Sequence, residues 1–174
     1  MKLKTIIFSA ALYAIAIMPN AASAYEVINT TAYKLTDTTS LFTITYEFGY
    51  LNGVAAMPMV PTYMSAAENT LPKLAYEITN QAGEVLSLNN QNTTAVVLSG
   101  ATLNNKFYYQ IAAGDRQQFT LLVLHTTNDA SLDSQPQTLS VTSFGHQVDA
   151  NDRVRYMTVS DAQLEDYQST LESN

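Results

Sequence analysis

The 174 residues contain no cysteine and no tryptophan. Without cysteine there is no disulfide, no thiolate nucleophile and no sulfur-based zinc site. A lipid anchor on an N-terminal cysteine is excluded for the same reason. Glycine is scarce at six residues, and neither a Gly-x-Gly-x-x-Gly fingerprint nor a phosphate-cradling Walker loop occurs. His125, expected at a strand end, and His146, which follows Gly145 and is expected near a turn at the surface, are the whole imidazole supply. No local pattern joins either to a serine and a carboxylate, and there is no Gly-x-Ser-x-Gly elbow. Positive charge is short too: 8 Lys and Arg against 15 Asp and Glu give a net −7. Nucleic acid and anionic lipid, which need a basic patch, are poor partners for such a chain. These shortages point away from an enzyme.

The first 24 residues are built differently from the rest. Lys2 and Lys4 precede an apolar stretch from Ile6 to Met18, and small residues close it at Ala22-Ser23-Ala24. This is the layout of a secretory signal peptide, with cleavage expected after Ala24. As a helix the apolar stretch would rise only about 20 Å, short of a bilayer core of roughly 30 Å. A secreted or periplasmic protein is therefore expected, with a single domain over 25–174 and no integral membrane segment after cleavage. Losing Lys2 and Lys4 would leave six basic against fifteen acidic residues, a net −9. A domain of that size can bury a core without disulfide staples. Charged residues make up only 13% of the chain, so Thr, Ser, Asn and Gln carry most of the solubility. That suits exposed strand faces.

Period-two patterning dominates the chain beyond residue 24. In Leu41 to Phe48, the residues Phe42, Ile44, Tyr46 and Phe48 share one face, with Thr43, Thr45 and Glu47 on the other. Lys73 to Thr79 places Leu74, Tyr76 and Ile78 inward; Asn80 to Gly83 then turns the chain and Glu84 to Leu88 returns as a hairpin. Lys106 to Ala112 and Gln117 to Thr126 form a further expected pair around Ala113-Gly114-Asp115. In the second of these, Leu122 and Leu124 make the outer face apolar as well, which predicts a central strand covered on both sides. Gln137 to Phe144 and Arg153 to Val159 read as two more strands around a turn at 149–152. Ser160 with Gln163 has the form of a capping box, and Leu164, Tyr167 and Leu171 then share one helical face. A C-terminal helix over 160–171 is expected, covering Leu122 and Leu124.

About eight to ten short strands with turn residues between them make an all-β, antiparallel sandwich. The hairpin Tyr76-Glu77-Ile78 to Gly83-Glu84-Val85, and Ala113-Gly114-Asp115 ahead of Phe119-Thr120-Leu121, resemble secreted immunoglobulin-like modules. The resemblance implies an immunoglobulin-like β-sandwich. The Cys…Trp…Cys core of the true immunoglobulins is absent.

Three binding chemistries have candidates. The segment from Gly49 to Pro72 reads as a long loop holding Met57, Met59 and Met64. Met-x-Met is a soft thioether pattern suited to Cu(I), and it resembles the methionine loops of periplasmic copper-binding β-sandwiches, with His125 or His146 as an extra ligand. The plainer reading is packing, since Met fills irregular gaps. Tyr50, Tyr63 and Tyr108 are expected to be exposed rings on which a carbohydrate could stack. Asp129 and Asp133, with Asp149 and Asp152, could supply oxygens to Ca²⁺, although Asp is also an ordinary turn former. The expectation is an exported, non-catalytic binding or structural module of the cell envelope or extracellular space. Its partner would be a protein or cell-surface ligand met through loops or a sheet edge, including a second copy exchanging the strand at 25–35.

Overall fold

The computed structural model describes residues 23–51, 53–63, 74–86, 91–128, 136–150 and 153–171. The signal-like segment up to residue 22, together with Met64, Asp129, Asp133 and Asp152, lies outside them. The chain forms β1 (Ser23–Thr36), β2 (Thr39–Tyr50), β3 (Val54–Pro58), β4 (Thr62–Tyr63), β5 (Leu74–Asn80) and β6 (Gln91–Ser99). It continues through β7 (Thr102–Leu103), β8 (Tyr108–Ile111), β9 (Arg116–Thr127), β10 (Gln137–Ala150), β11 (Arg153–Thr158), α1 (Asp161–Leu164) and β12 (Gln168–Leu171). This is an antiparallel-rich β-sandwich with one short helix near its C-terminal end.

Sheet 1 has the order β1-β2-β9-β6. Its inner face is what the alternation requires: Phe42, Ile44, Phe48, Phe119, Leu121 and Val123 are all fully buried. Threonines and Glu47 take the positions between them, where a β-branched or polar side chain suits a pleated outer face. Sheet 2 runs β4-β5-β10-β3-β8-β7, with β11 and β12 also pairing β10. The first half of β10 lies between β5 and β12, and its second half between β3 and β11. A register shift between Val141 and Ser143 separates the two halves. Tyr76, Ile78, Leu139, Phe144 and Val148 turn inward from this sheet to meet the aromatic rings of sheet 1.

Both open sides of the sandwich are tied across. On one, the Ser169 hydroxyl donates to the Thr31 carbonyl at 2.6 Å. On the other, the Val97 N–H donates to the Met59 carbonyl at 2.8 Å, and the Tyr109 hydroxyl donates to the Val97 carbonyl at 3.0 Å.

Three expectations are corrected. The residues around Ala113-Gly114-Asp115 do not close a hairpin: β8 pairs with β3 and β7, whereas β9 belongs to the other sheet. Gly114, at φ 80°, lets the chain turn there, and its N–H donates to the Tyr50 carbonyl at 2.8 Å. Alternation tells which face a residue takes, not which sheet its strand joins. The return after Asn80–Gly83 keeps the expected hairpin as far as residue 86: Thr79 bridges Val85 antiparallel, and the Leu86 N–H donates to the Ile78 carbonyl at 2.9 Å. The expected long loop from Gly49 contains β3 and β4, both paired into sheet 2.

Finally, the helix ends at Leu164, and 168–171 is strand β12 on the edge of β10. Ser160 and Gln163 do meet, with the Ser160 hydroxyl donating to Gln163 Oε1 at 2.9 Å. Backbone pairing along β10 outweighs a weak helical stripe rich in Ser and Thr. α1 packs on β10, so Leu122 and Leu124 keep an uncovered outer face within the described structure.

Candidate functional site

The methionine pattern resolves into packing positions. Met57 lies on β3 opposite Tyr109 and is fully buried. Met59, two residues on, is partly buried against the same core. His125, proposed as an extra ligand to the methionines, is also buried but stands elsewhere. The Tyr109 ring sits 5.9 Å from Phe119, and His125 is six residues farther along β9, roughly 20 Å at strand rise. Met57 and His125 therefore cannot share one ion. For Met57 and Met59, the expectation of an exposed thioether loop is corrected: Met57 belongs to β3 and both pack on the core.

The tyrosines divide. Tyr50, expected at the surface, is 4% exposed and its ring lies 6.2 Å from that of His146. Tyr63 is half-buried; its hydroxyl donates to the Leu86 carbonyl at 2.7 Å and its ring meets Tyr76 edge-on at 5.4 Å. Tyr63 and Tyr76 line a groove of about 530 Å³ with Pro61, Thr62 and residues of β6. Tyr108 is half-buried at the start of β8. For calcium, Asp149 stands in β10 rather than in a turn, and no three His, Asp or Glu side chains gather among the described residues.

Sequence reasoning missed His146. It was expected near a turn at the surface, yet it sits within β10 and is fully buried. Its Nδ1 shares a hydrogen bond with the Tyr25 hydroxyl, and the rings of Tyr25, Phe48 and Tyr50 surround it. Its parity with Phe144 and Val148 was the available signal. Burial lowers its pKa to about 4, so the ring is neutral at ordinary pH. His125 is lowered to about 4 by the same cause, and neither of its nitrogens has a hydrogen-bond partner among the described residues.

Around His146 is a set of phenols that the alternation alone could not assemble. Tyr46 and Tyr167 lie 5.5 Å apart by ring centroid, and Phe144 packs against both. Burial, and then the Tyr167 phenol, push the Tyr25 pKa well above its usual value. Tyr46 is raised by burial and by the neighbouring tyrosines, and Tyr167 by burial and then by Asp166. All three stay protonated, as hydrogen-bond donors. The hydroxyls of Tyr46 and Tyr167 and Nε2 of His146 have no partner among the described residues.

This cluster backs onto a cleft of about 590 Å³ between β1 and α1, lined by Tyr25 to Thr30, Gln163, Asp166 and Tyr167. β1 is an edge strand with β2 on one side only. A register shift between Val27 and Asn29 leaves Ile28 out of the pairing and 48% exposed. Glu26 and Asp166 are exposed carboxylates on the cleft rim. Among the described residues the cleft thus offers unpaired strand backbone, an apolar side chain, two acids and a buried phenol without a partner.

No protein-family model matches the chain, and no curated protein matches it. Among solved structures, the crystal structure of the yeast GGA1 GAE domain is similar at 5% identity, covering 82% of this chain and 92% of that one, with a TM-score of 0.32.

Proposed function

We propose that the chain is an exported, non-catalytic binding module that takes an extended segment of a partner protein along the free edge of β1. The observation that carries this reading is the cleft beside α1, which opens where residues 25–30 of β1 have no strand paired on their outer side among the described residues. A peptide laid there would gain main-chain hydrogen bonds from the edge and side-chain specificity from the walls. Glu26 and Asp166 on the rim favour Lys or Arg in that segment. The signal-like N-terminus supports a place of work in the periplasm or outside the cell. The sealing of both imidazoles in the interior, neutral and away from solvent, supports binding over acid–base catalysis.

A peptide of about ten residues alternating Lys and Val is a suitable probe for edge pairing. It is expected to shift the amide resonances of residues 25–30, with an affinity that falls as salt rises. The matching Glu/Val peptide should bind far more weakly. Reversing both rim charges, with Glu26→Lys and Asp166→Lys, should exchange the preference. No shift at about 1 mM peptide, the weak end of specific recognition, would overturn the reading.

A further inference from the structure

The outer face of sheet 1 differs from the rest of this acidic chain. Register places Tyr33, Leu41, Leu122, Leu124, Val96 and Leu98 on it, running across all four strands. Tyr33 is 56% exposed at one edge and Leu98 48% exposed at the other. Threonines fill the positions between, and their hydroxyls pair across strands: Thr31 with Thr43 at 2.5 Å, Thr45 with Thr120 at 3.1 Å, and Thr39 with Thr126 at 3.4 Å. Each pair satisfies one hydroxyl donor within the face, which lowers the cost of removing it from water. Charge is confined to one end, where Glu47 lies opposite Glu26 and is ion-paired to Arg116 at 2.6 Å. From Asn29 and Thr45 to the far end, the outward positions of the four strands carry none.

We infer that this face binds the same face of a second copy, forming a two-fold dimer of stacked sheets. Three observations select that occupant. The face is regular: β2 and β9 pair over eleven positions, and β6 and β9 over nine, with no register shift. Three strands in unbroken register, with the two β1 shifts confined to one edge, can stack on another sheet at about 10 Å with side chains interdigitated. Its extent suits the purpose as well. Four strands of nine residues give a footprint of roughly 20 by 30 Å, about 600 Å² before side-chain corrugation is counted. That approaches the roughly 800 Å² each partner contributes to a standard interface. Lastly, the chain carries a net charge of −7, so two copies repel through most pairs of surfaces. The uncharged face is where they meet without that penalty, and a self-complementary patch is what two-fold symmetry demands. The β1 cleft lies on the side of the sandwich and stays open in such a dimer.

Sedimentation equilibrium of the full chain tests this directly. The expected result is a monomer–dimer equilibrium with a mass approaching twice 19.1 kDa. Leu98→Lys with Leu124→Lys, two half-exposed or exposed positions, should raise Kd on the order of 100-fold, with circular dichroism showing the fold retained. Val54→Lys, exposed at 45% on the central strand β3 of sheet 2, should leave Kd unchanged. Because the chain has no cysteine, Val96→Cys supplies a second reading: it should oxidise to a covalent dimer faster than Val54→Cys. A monomer at all concentrations up to about 200 µM, weaker than specific assembly needs, would overturn the proposal. So would a dimer indifferent to the double variant, or equal cross-linking at both cysteine positions.

Discussion

In sheet 1, β2 and β9 stay in register from Thr39–Thr126 to Gly49–Arg116. In sheet 2, β10 changes partners halfway along, and β4 and β7 are two residues long. The two sheets face one core but are specified differently. Sheet 1 is held by long ladders between strands whose alternation is plain in the sequence. Sheet 2 is assembled from short pieces around one long strand, each fixed by its neighbours. A consequence is that sheet 1 presents a regular outer face, while sheet 2 and the sandwich edges supply the irregular features: the bulge, the cleft and the strained turn.

The comparison can be broken most severely from within the shared core. Phe119→Ala in sheet 1 removes a ring stacked 5.5 Å from Tyr46 and should cost about 4 kcal/mol in urea unfolding. Met57→Ala in sheet 2 should cost about 3 kcal/mol, whereas Met57→Leu should stay within about 1 kcal/mol. A Leu variant as damaged as the Ala variant would mean that the thioether does more than pack.

Each sheet also buries one histidine, so acid should strike both. The unfolded-state pKa is about 6.5, and both folded values are lowered to about 4 by burial. Between these values the unfolded chain binds more protons than the folded one. Stability is therefore complete above about pH 6.5 and is lost as pH falls towards 4, by about 3 kcal/mol per histidine. His125→Leu should remove its share of that slope and two unpartnered nitrogens at once. His146→Leu should remove its share too but strand the Tyr25 hydroxyl, giving the lower stability at neutral pH. Chemical denaturation at several pH values separates the two. Equal neutral-pH stabilities would show that the Tyr25 hydrogen bond contributes nothing.

The smallest effect tests sheet 2's irregularity and has the opposite sign. Phe107, in the turn between β7 and β8, holds φ at 61° and is 63% exposed. Asn104 Oδ1 fixes this turn by accepting from the N–H groups of Lys106 and Tyr108 at 2.9 and 3.0 Å. A left-handed non-glycine residue costs on the order of 1 kcal/mol, so Phe107→Gly should raise the melting temperature by a few degrees. A lower Tm would show that the phenyl ring makes a stabilising contact.

How far the sequence could be read obeys the same division. The inward residues of β2, β5 and β9 were legible because a strand with one dry face must alternate. The Met57 and Tyr50 positions were misread because Pro58, Pro61 and Gly53 look like loop residues, although β3 is paired on both sides, by β10 and β8. His146 was misread because Gly145 beside it suggests a turn. The cleft had no local signal at all: its walls come from residues 25–30 and 163–167, which only tertiary contact brings together.

By itself the sequence determined the class of fold, the apolar face of most strands, the acidic surface and the absence of thiol chemistry. It did so because composition and period-two alternation are properties of the chain alone. Tertiary structure decided which sheet each strand joins, where the C-terminal segment leaves helix for strand, and the gathering of Tyr25, Tyr46, Tyr167 and His146 behind a cleft. These depend on backbone pairings between residues as far apart as Val54 and Asp149. A backbone hydrogen bond carries no side-chain signature from which its distant partner could be read.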